Sequence, residues 1–522
     1  MFGIRQFVLS LTSFLLLWHG DSSAPRQQVA HGNKSVAIVG AGSAGLAVLR
    51  ALIDLQIELH DDLDIVLYEQ RRDVGGIWLP DPELVHPPVL PETPLYPLLH
   101  TNTPMPTMTY PGFPFPPGTP MFSSHEYVLK YHRDYALHYN LLPYILFNHT
   151  VLSASWVGTS EEGRWDIVVE EGNGRKTRRS FDHLVVASGH NHYPHILTFP
   201  GQDAWLRHRN GAHGRRREIL HSIFYRDPER YANQTVVVVG AGASGRDAAS
   251  QVALYARKVY HSVRTVDDPA SGPVEVKPEI ARFSPEAIVF ADGSHALDVD
   301  VVILGTGYDL RVPFLETTGE IAVKPQSHRR DHGLTTNLRY LFPLHQHIFS
   351  LSASYPTNAL AFIGLPILIS NCPSDVAQSV YAARVIANAS LLGPREQLLT
   401  ALDAREDELR SRGYDPYYIG HRMVLHGSSF DYQDELIENL KAQGAIPDDG
   451  TKYVESWRRE ARDYQYVKRG WKRVEELGQE REWLRGVETE AEWADLMKRL
   501  DEWEKEWEMR QGLVFPKETT VF

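Results

Sequence analysis

"SVAIVGAGSAGLAVLRAL", Ser35 to Leu52, decides the fold, because "TVVVVGAGASGRDAASQ", Thr235 to Gln251, repeats its design later in the chain. Each stretch opens with an apolar run suited to a strand buried on both faces, Val36 to Val39 in one and Val236 to Val239 in the other. Each continues as G-x-G-x-x-G, with Gly40, Gly42 and Gly45 in the first and Gly240, Gly242 and Gly245 in the second. The first glycine allows a tight turn, the second lets backbone approach a pyrophosphate, and the third lets helix and strand pack closely. Ser43 and Ser244 lie inside the loops and join the glycines as candidate cofactor-binding residues. A helix from about Ala44 to Leu55 would aim its positive N-terminus at the phosphates.

The strands that follow the loops differ. "DIVLYEQ" ends in Glu69, whose carboxylate suits the free hydroxyls of an adenosine ribose. "RKVYHSVRT" has no acid at that place and offers Ser262, Arg264 and Thr265. A carboxylate there would repel a 2′-phosphate, whereas arginine and hydroxyl donors would hold one. The alternative for Arg264 is a solvated surface arginine. Two different dinucleotides in one chain imply electron transfer between them, so FAD is expected at the first site and NADPH at the second.

Bulk properties narrow the function further. A chain of 522 residues has room for two or three domains, and its net charge of −13 argues against a nucleic-acid surface. The single cysteine, Cys372, excludes an intrachain disulfide, a paired redox centre and a cysteine-rich zinc site. The N-terminal "MFGIRQFVLSLTSFLLLWHGDSSAP" has Arg5 before a short apolar run, Phe7 to Trp18, and then small or polar residues. That run is too short to span a bilayer, so residues 1–23 are expected to be a secretory signal, with a signal anchor as the alternative. No stable membrane span is expected. A secreted or lumenal glycoprotein follows, with sequons at Asn33, Asn148, Asn233 and Asn388.

A Pro-rich stretch from Pro80 to Pro120 excludes a long helix or a central strand and requires an ordered loop. Before it, Gly75, Gly76 and Trp78 in "YEQRRDVGGIW" would bend the chain back over the cofactor. "FDHLVVASGH" and "DVDVVILGTGYDL" read as buried strands that end in glycine, where open α/β sheets bind ligands, and the latter contributes Gly307. The expected fold is therefore α/β, with two Rossmann-like dinucleotide-binding domains and a helical C-terminal region. Residues 33–195 and 299–400 would form the FAD domain, 196–298 an inserted NADP domain, and 401–522 a helical extension. In that extension Trp493, Met497, Leu500, Trp503 and Trp507 recur at helical spacing. Packing against the body is the expected reading of this stripe, and a membrane or partner face is the alternative.

Taken in order, "VGAGSAG", "YEQRRDVGGIW", "HTNTPMPTM", "FPFPPGTPMFSSHEYVLKYHRDYA", "HSIFYRDPERYANQTVVVVGAGASG" and "ILGTGYD" resemble the flavin-containing monooxygenase family, more its compact yeast and fungal members than the animal ones. The resemblance runs from about Ser35 to Leu392. The family stretch F-x-G-x-x-x-H-x-x-x-Y is matched at His221 and Tyr225, while Arg215 and Arg217 stand where its phenylalanine and glycine would be. Baeyer–Villiger relatives usually carry tryptophan where Tyr225 stands, which favours oxygenation of a heteroatom. The resemblance implies that NADPH reduces FAD, O₂ adds to it, and a flavin hydroperoxide oxygenates a small lipophilic substrate at nitrogen or sulfur. Secondary-metabolite biosynthesis is one setting for such a reaction. It also implies that Asn102 hydrogen-bonds the peroxide or nicotinamide, the alternative being a turn-capping asparagine, and that Gln378 lies near the flavin. His221 would fix the interdomain linker.

Three rivals share this reading in part. A Baeyer–Villiger or other carbon-oxidising enzyme would accept a ketone. A secreted NADPH oxidase would release hydrogen peroxide. A non-catalytic flavoprotein, binding a partner through its Trp-rich tail, would leave NADPH untouched.

Overall fold

A computed structural model of the protein describes residues 34–60, 62–208, 214, 216–265, 274–328, 330 and 333–513. The expected signal segment, Asn33 and Arg215 lie outside the described residues.

Strand β1 (Ser35–Val39) is buried at every residue because parallel neighbours flank it on both sides. Those neighbours are β2 (Asp64–Glu69) and β4 (His183–Val186), and β3 (Ile145–Phe147) extends the sheet beyond β2. The sheet is completed by β10 (Leu344–His345), β11 (Phe349–Ser350) and β12 (Leu360–Phe362), in the order β10-β11-β12-β4-β1-β2-β3. Helix α1 (Ser43–Leu59) buries Leu46, Leu49, Leu52 and Leu55 and packs along α3 (Asn371–Ala387). It runs four residues past the expected Leu55, and near its end Glu58 accepts a 2.9 Å bond from Arg384 of α3.

The second sheet is parallel throughout. Its order is β8 (Val274–Lys277), β7 (Lys258–Ser262), β6 (Thr235–Val239), β9 (Val301–Leu304) and β5 (Glu218–His221). Helix α2 (Ala243–Val252) follows its glycine loop. The expected boundary after residue 298 is therefore misplaced. "DVDVVILGTGYDL" supplies β9, which pairs Val301 with Val236 through Leu304 with Val239, so it belongs to the inserted unit. Asp300 secures the pairing by accepting the Thr235 N–H at 2.9 Å. The chain crosses between units on a short antiparallel ribbon, Tyr193–Pro194 against Tyr308–Asp309.

The boundary at residue 400 also moves. Helix α4 (Ser428–Ala442) buries Tyr432, Leu436, Ile437 and Leu440 in the core of the first domain. Only from about Val454 does a separate core form, built by α5 (Ser456–Ala461), α6 (Val467–Glu476) and α7 (Glu490–Gln511). In that core Trp493, Met497 and Leu500 are buried with Trp471 against Met121 of the Pro-rich loop. Trp503 packs on the cluster, and the Arg473 guanidinium covers the Trp507 ring at 3.1 Å. The stripe thus packs inward. Among the described residues no helix is long and apolar enough to cross a membrane.

Candidate active site

At the first loop, Gly40 has φ +105°, and a Cβ there would lie 2.5 Å from the Ala187 carbonyl at the end of β4. A Cβ at Gly45 would overlap the Gly40 carbonyl oxygen. These two glycines are dictated by how closely strand and helix approach. Gly42 answers to the "VGGIW" turn, since its Cβ would stand 3.6 Å from Gly76 Cα, and the Gly75 N–H donates to Ala41 O at 2.9 Å. Trp78 packs half-buried on the core beside this turn.

Glu69 is only 5% exposed at the end of β2. Its carboxylate accepts the Ala41 N–H at 2.6 Å and the Arg71 N–H at 2.8 Å. Burial raises its pKa, and the two N–H donors oppose that rise. Arg71, which the sequence did not single out, donates to Gly76 O at 2.8 Å and Leu79 O at 2.7 Å and so ties down the turn. Arginine is ordinarily exposed, so only its burial under the turn reveals the role.

Asn102 sits on the Pro-rich loop between two backbone bonds, Thr101 N to Ser123 O and Met105 N to Met121 O, both 2.9 Å. Its side chain is exposed and, among the described residues, makes no hydrogen bond. The short helical turn Met105–Met108 that follows is entered from Pro104 without a side-chain cap, so the capping alternative is not what the structure shows. Tyr110 holds the loop to α1 by donating its hydroxyl to Ser43 O at 2.9 Å.

Gln378, expected near the flavin, has its amide committed inside the protein. It is fully buried on α3, accepts the Gly364 N–H at 3.2 Å, and donates to Ser374 O and Oγ at 3.1 and 2.9 Å. Both amide hydrogens are directed inward, so it secures the Gly364 turn instead of offering a donor to a ligand. One turn away, Asp375 is 2% exposed, and a Cβ at Gly364 would lie 3.5 Å from its Oδ1. Burial pushes its carboxyl up to about 7 against a hydrogen bond from Ser43, and Oδ2 has no partner. An acid inside the apolar "NCPSDVAQ" helix start was the available signal for this group. Burial also pushes the Cys372 thiol well above its usual range, which leaves it unreactive.

The second loop repeats the steric logic. Gly240 has φ +111° and faces the Gly305 carbonyl, while a Cβ at Gly245 would overlap the Gly240 carbonyl. At Gly242 nothing lies within 4 Å of the place a Cβ would take, and Ala241 and Ala243 are exposed, so this loop is open. Ser244 is half-buried at the first turn of α2. His261 donates from Nε2 to Gly240 O at 2.8 Å, a loop-holding role that the sequence did not disclose. Neither α1 nor α2 has a side-chain cap at its N-terminus, Gly42 and Gly242 standing there. Their first N–H groups therefore remain available to phosphate.

Ser262 does not reach a ligand as expected. It is 2% exposed, its hydroxyl donates to Pro278 O at 2.9 Å, and its carbonyl accepts the Gly240 N–H at 2.9 Å. Arg264 is exposed at the strand end with Thr265, donates to the Tyr418 hydroxyl and lies 3.3 Å from Glu279. Gly307, φ +81°, accepts from His221 Nε2 and from the His195 N–H, both at 2.9 Å. A carbonyl only accepts, so His221 carries its proton on Nε2, while its Nδ1 accepts the Ile223 N–H at 3.1 Å. Burial holds the ring neutral, lowering its pKa to about 4. Arg217 is buried within the second domain, donating to Trp205 O at 3.3 Å, and the Tyr225 hydroxyl donates to Gln251 at 2.8 Å. A cleft of about 70 Å³ opens beside the crossing ribbon, lined by His190, His195, Gly307, Arg339 and Arg422. Burial and the neighbouring Arg339 lower the Arg422 pKa.

Both frames thus fit a dinucleotide. Each has a turn only glycine allows, an uncapped helix start, and a strand end suited to a ribose or its phosphate. The chain is similar to known proteins. The profile of the flavin-binding monooxygenase-like family matches residues 33–268 and 269–448. The flavin-containing monooxygenase FMO GS-OX-like 8 of Arabidopsis thaliana is 28% identical over 455 residues, covering 82% of this chain and 88% of its own. Flavin-containing monooxygenase 5 of Oryctolagus cuniculus is 25% identical over 481 residues, covering 78% and 82%. Among solved structures, S-allyl-L-cysteine S-oxygenase from Allium sativum superposes with a TM-score of 0.69 at 25% identity, over 91% of this chain and 99% of that one. The fold is shared with cyclohexanone monooxygenase, with a TM-score of 0.52 at 14% identity over 78% of this chain and 98% of that one.

Proposed function

The chain belongs to the flavin-binding monooxygenase-like family, and from that premise we propose that it uses NADPH and O₂ to oxygenate a small lipophilic nucleophile at sulfur or nitrogen. The observation that carries this reading is the presence of two strand–glycine-loop–helix frames in one chain, with an exposed, unbonded Asn102 on the loop held against the first frame. When bound, FAD supplies oxygen activation and NADPH supplies hydride. The chain supplies position. Glu69 and the start of α1 would hold the ribose and pyrophosphate of FAD, with the Gly75–Trp78 turn beside them. Arg264 would meet a 2′-phosphate and so favour NADPH, while His221 and His195 hold the Gly307 carbonyl at the crossing between the units. Asn102, exposed and without a hydrogen-bond partner among the described residues, would orient the oxygen-transfer step by one hydrogen bond.

Sulfur is favoured as the acceptor atom because the garlic relative is an S-oxygenase and its structure covers 91% of this chain. The deciding experiment is anaerobic reduction with NADPH followed by oxygen, in the presence of a sulfide, a tertiary amine or a cyclic ketone. Sulfoxide or N-oxide formed in step with NADPH consumed supports the proposal. Ester from the ketone would reassign the protein as a Baeyer–Villiger enzyme, and hydrogen peroxide alone as an oxidase. With no NADPH consumed, a non-catalytic flavoprotein is left.

We also propose that the protein enters the secretory pathway. The expected signal is joined by three exposed sequon asparagines, Asn148, Asn233 and Asn388. Expression in a secreting eukaryotic host should yield a glycosidase-sensitive mass shift, and its absence would argue against that route.

A further inference from the structure

Residues after 448 lie beyond the family match, yet they reach the loop that carries Asn102. Arg458 on α5 is 4% exposed and commits all three guanidinium nitrogens. Nη1 donates to Pro106 O at 3.2 Å, and Nη2 donates to Thr109 Oγ1 at 2.8 Å and Glu490 Oε1 at 2.9 Å. Nε donates to Glu455 Oε2 at 2.9 Å. The guanidinium therefore grips both ends of the Met105–Met108 turn, and two carboxylates hold it from behind. A second anchor lies on the other limb of the loop. Met121, fully buried among Trp471, Trp493 and Met497, offers the carbonyl that receives the Met105 N–H just after Asn102. Just before this helical unit the Tyr453 hydroxyl, packed on the first domain's core, donates to Pro373 O at 2.6 Å in the first turn of α3.

We propose that the helical unit from Val454 to Gln511 is a positioning device for the oxygenation site, with Arg458 as the positioning residue that sets Asn102. The Pro-rich segment has little regular secondary structure, so its placement depends on side-chain anchors of this kind. A misplacement of about 1 Å in such a loop can cost about 100-fold in a positioned reaction step. Arg458 touches neither nucleotide frame, so it acts only through the loop. The inference rests on the assignment of Asn102 to the oxygen-transfer step, and the test separates the two.

Two variants of the FAD-loaded full chain carry the test. Arg458→Leu removes the grip, and Thr109→Val removes one of its two loop contacts while leaving the bond to Pro106 O and both carboxylate pairs in place. If Arg458→Leu fails to fold, Thr109→Val carries the test alone. The first readout is backbone hydrogen exchange. The Thr101 and Met105 amides should exchange about tenfold faster, the factor for losing one hydrogen bond to a charged group, with the α7 amides unchanged. The second is coupling, in which the hydrogen peroxide released per NADPH should rise severalfold while the rate of flavin reduction stays the same. Asn102→Ala is measured beside them. Should it uncouple while the clamp variants move neither readout, or move exchange alone, the positioning role is overturned. Faster exchange in the clamp variants with coupling intact in Asn102→Ala would uphold the clamp and remove Asn102 from the chemistry.

Discussion

Asp375 is held against its own charge. Its folded pKa of about 7 lies above the ordinary 3.8 because burial disfavours the carboxylate. Between those values the folded state keeps a proton that the unfolded chain has lost, so stability falls as pH rises from about 4 to about 7 and then levels. The full span is up to about 4 kcal/mol. We predict that Asp375→Asn flattens this slope in denaturant melts of FAD-loaded protein; an unchanged slope would place the titration elsewhere. Two further predictions belong to single residues. Gly42→Val should abolish FAD retention, because a branched side chain would stand between the loop and the Gly76 turn, 3.6 Å from the Cβ position. A yellow, fully loaded variant would undo the assignment of the first loop. Arg264→Ala should weaken NADPH more than NADH, by about 1.5 kcal/mol, the low end for a charged hydrogen bond on an exposed side chain. Equal losses for both nucleotides in a binding titration would make Arg264 structural.

Helix starts differ across the chain. Helices α1 and α2 begin bare beside their glycine loops, whereas α7 begins with a capping box in which Thr489 and Glu492 satisfy each other's backbone N–H. Helices α4, α5 and α6 also start without a side-chain cap, and the α7 cap closes the N–H groups of a helix that follows no glycine loop. Thr489→Ala should therefore lower stability by about 1 kcal/mol and leave NADP⁺ affinity unchanged, which thermal melts and a nucleotide titration would show. Of the elements themselves, the two strand–loop–helix frames and the amphipathic stripe of α7 were legible, because period and glycine spacing are local. The ownership of β9 was not. A run such as "VDVVIL" announces a buried strand, but its partner is set by pairing with Val236–Val239, more than sixty residues away in sequence.

The relation of the two nucleotide units depends on a few contacts between distant segments. Arg226, from the inserted unit, donates to Asp81 of the Pro-rich segment at 2.9 Å, and Arg71 of the first domain lies 3.8 Å from the same carboxylate. His195 and Asp309, 2.7 Å apart, brace the crossing ribbon. Removing Asp81 would leave two largely buried guanidinium groups without their shared partner. Arg71 keeps Glu92 at 2.7 Å and Arg226 keeps the Ile223, Tyr225 and Thr93 carbonyls, so Asp81→Ala should cost about 1.5–3 kcal/mol, the value of a hydrogen bond to a charged group. The melt should separate into two transitions as the units lose their coupling. A single transition at the original midpoint would show that the ribbon alone holds them together.

By itself the sequence determined that this chain carries two dinucleotide frames, that their strand ends differ in charge, and that no cysteine pair takes part. Each of those follows from residues within about thirty positions of one another, where steric need and charge act along the chain. Only the tertiary structure decided which groups face a ligand and which face inward. Ser262, Gln378 and Asp375 read alike as polar residues at strand ends or helix starts, yet Ser262 and Gln378 spend their hydrogens inside the protein and Asp375 keeps an unpaired oxygen. Arg458 shows the same limit from the other side. Its partners lie some 350 positions away, and no local pattern marks an arginine that is buried to hold a loop.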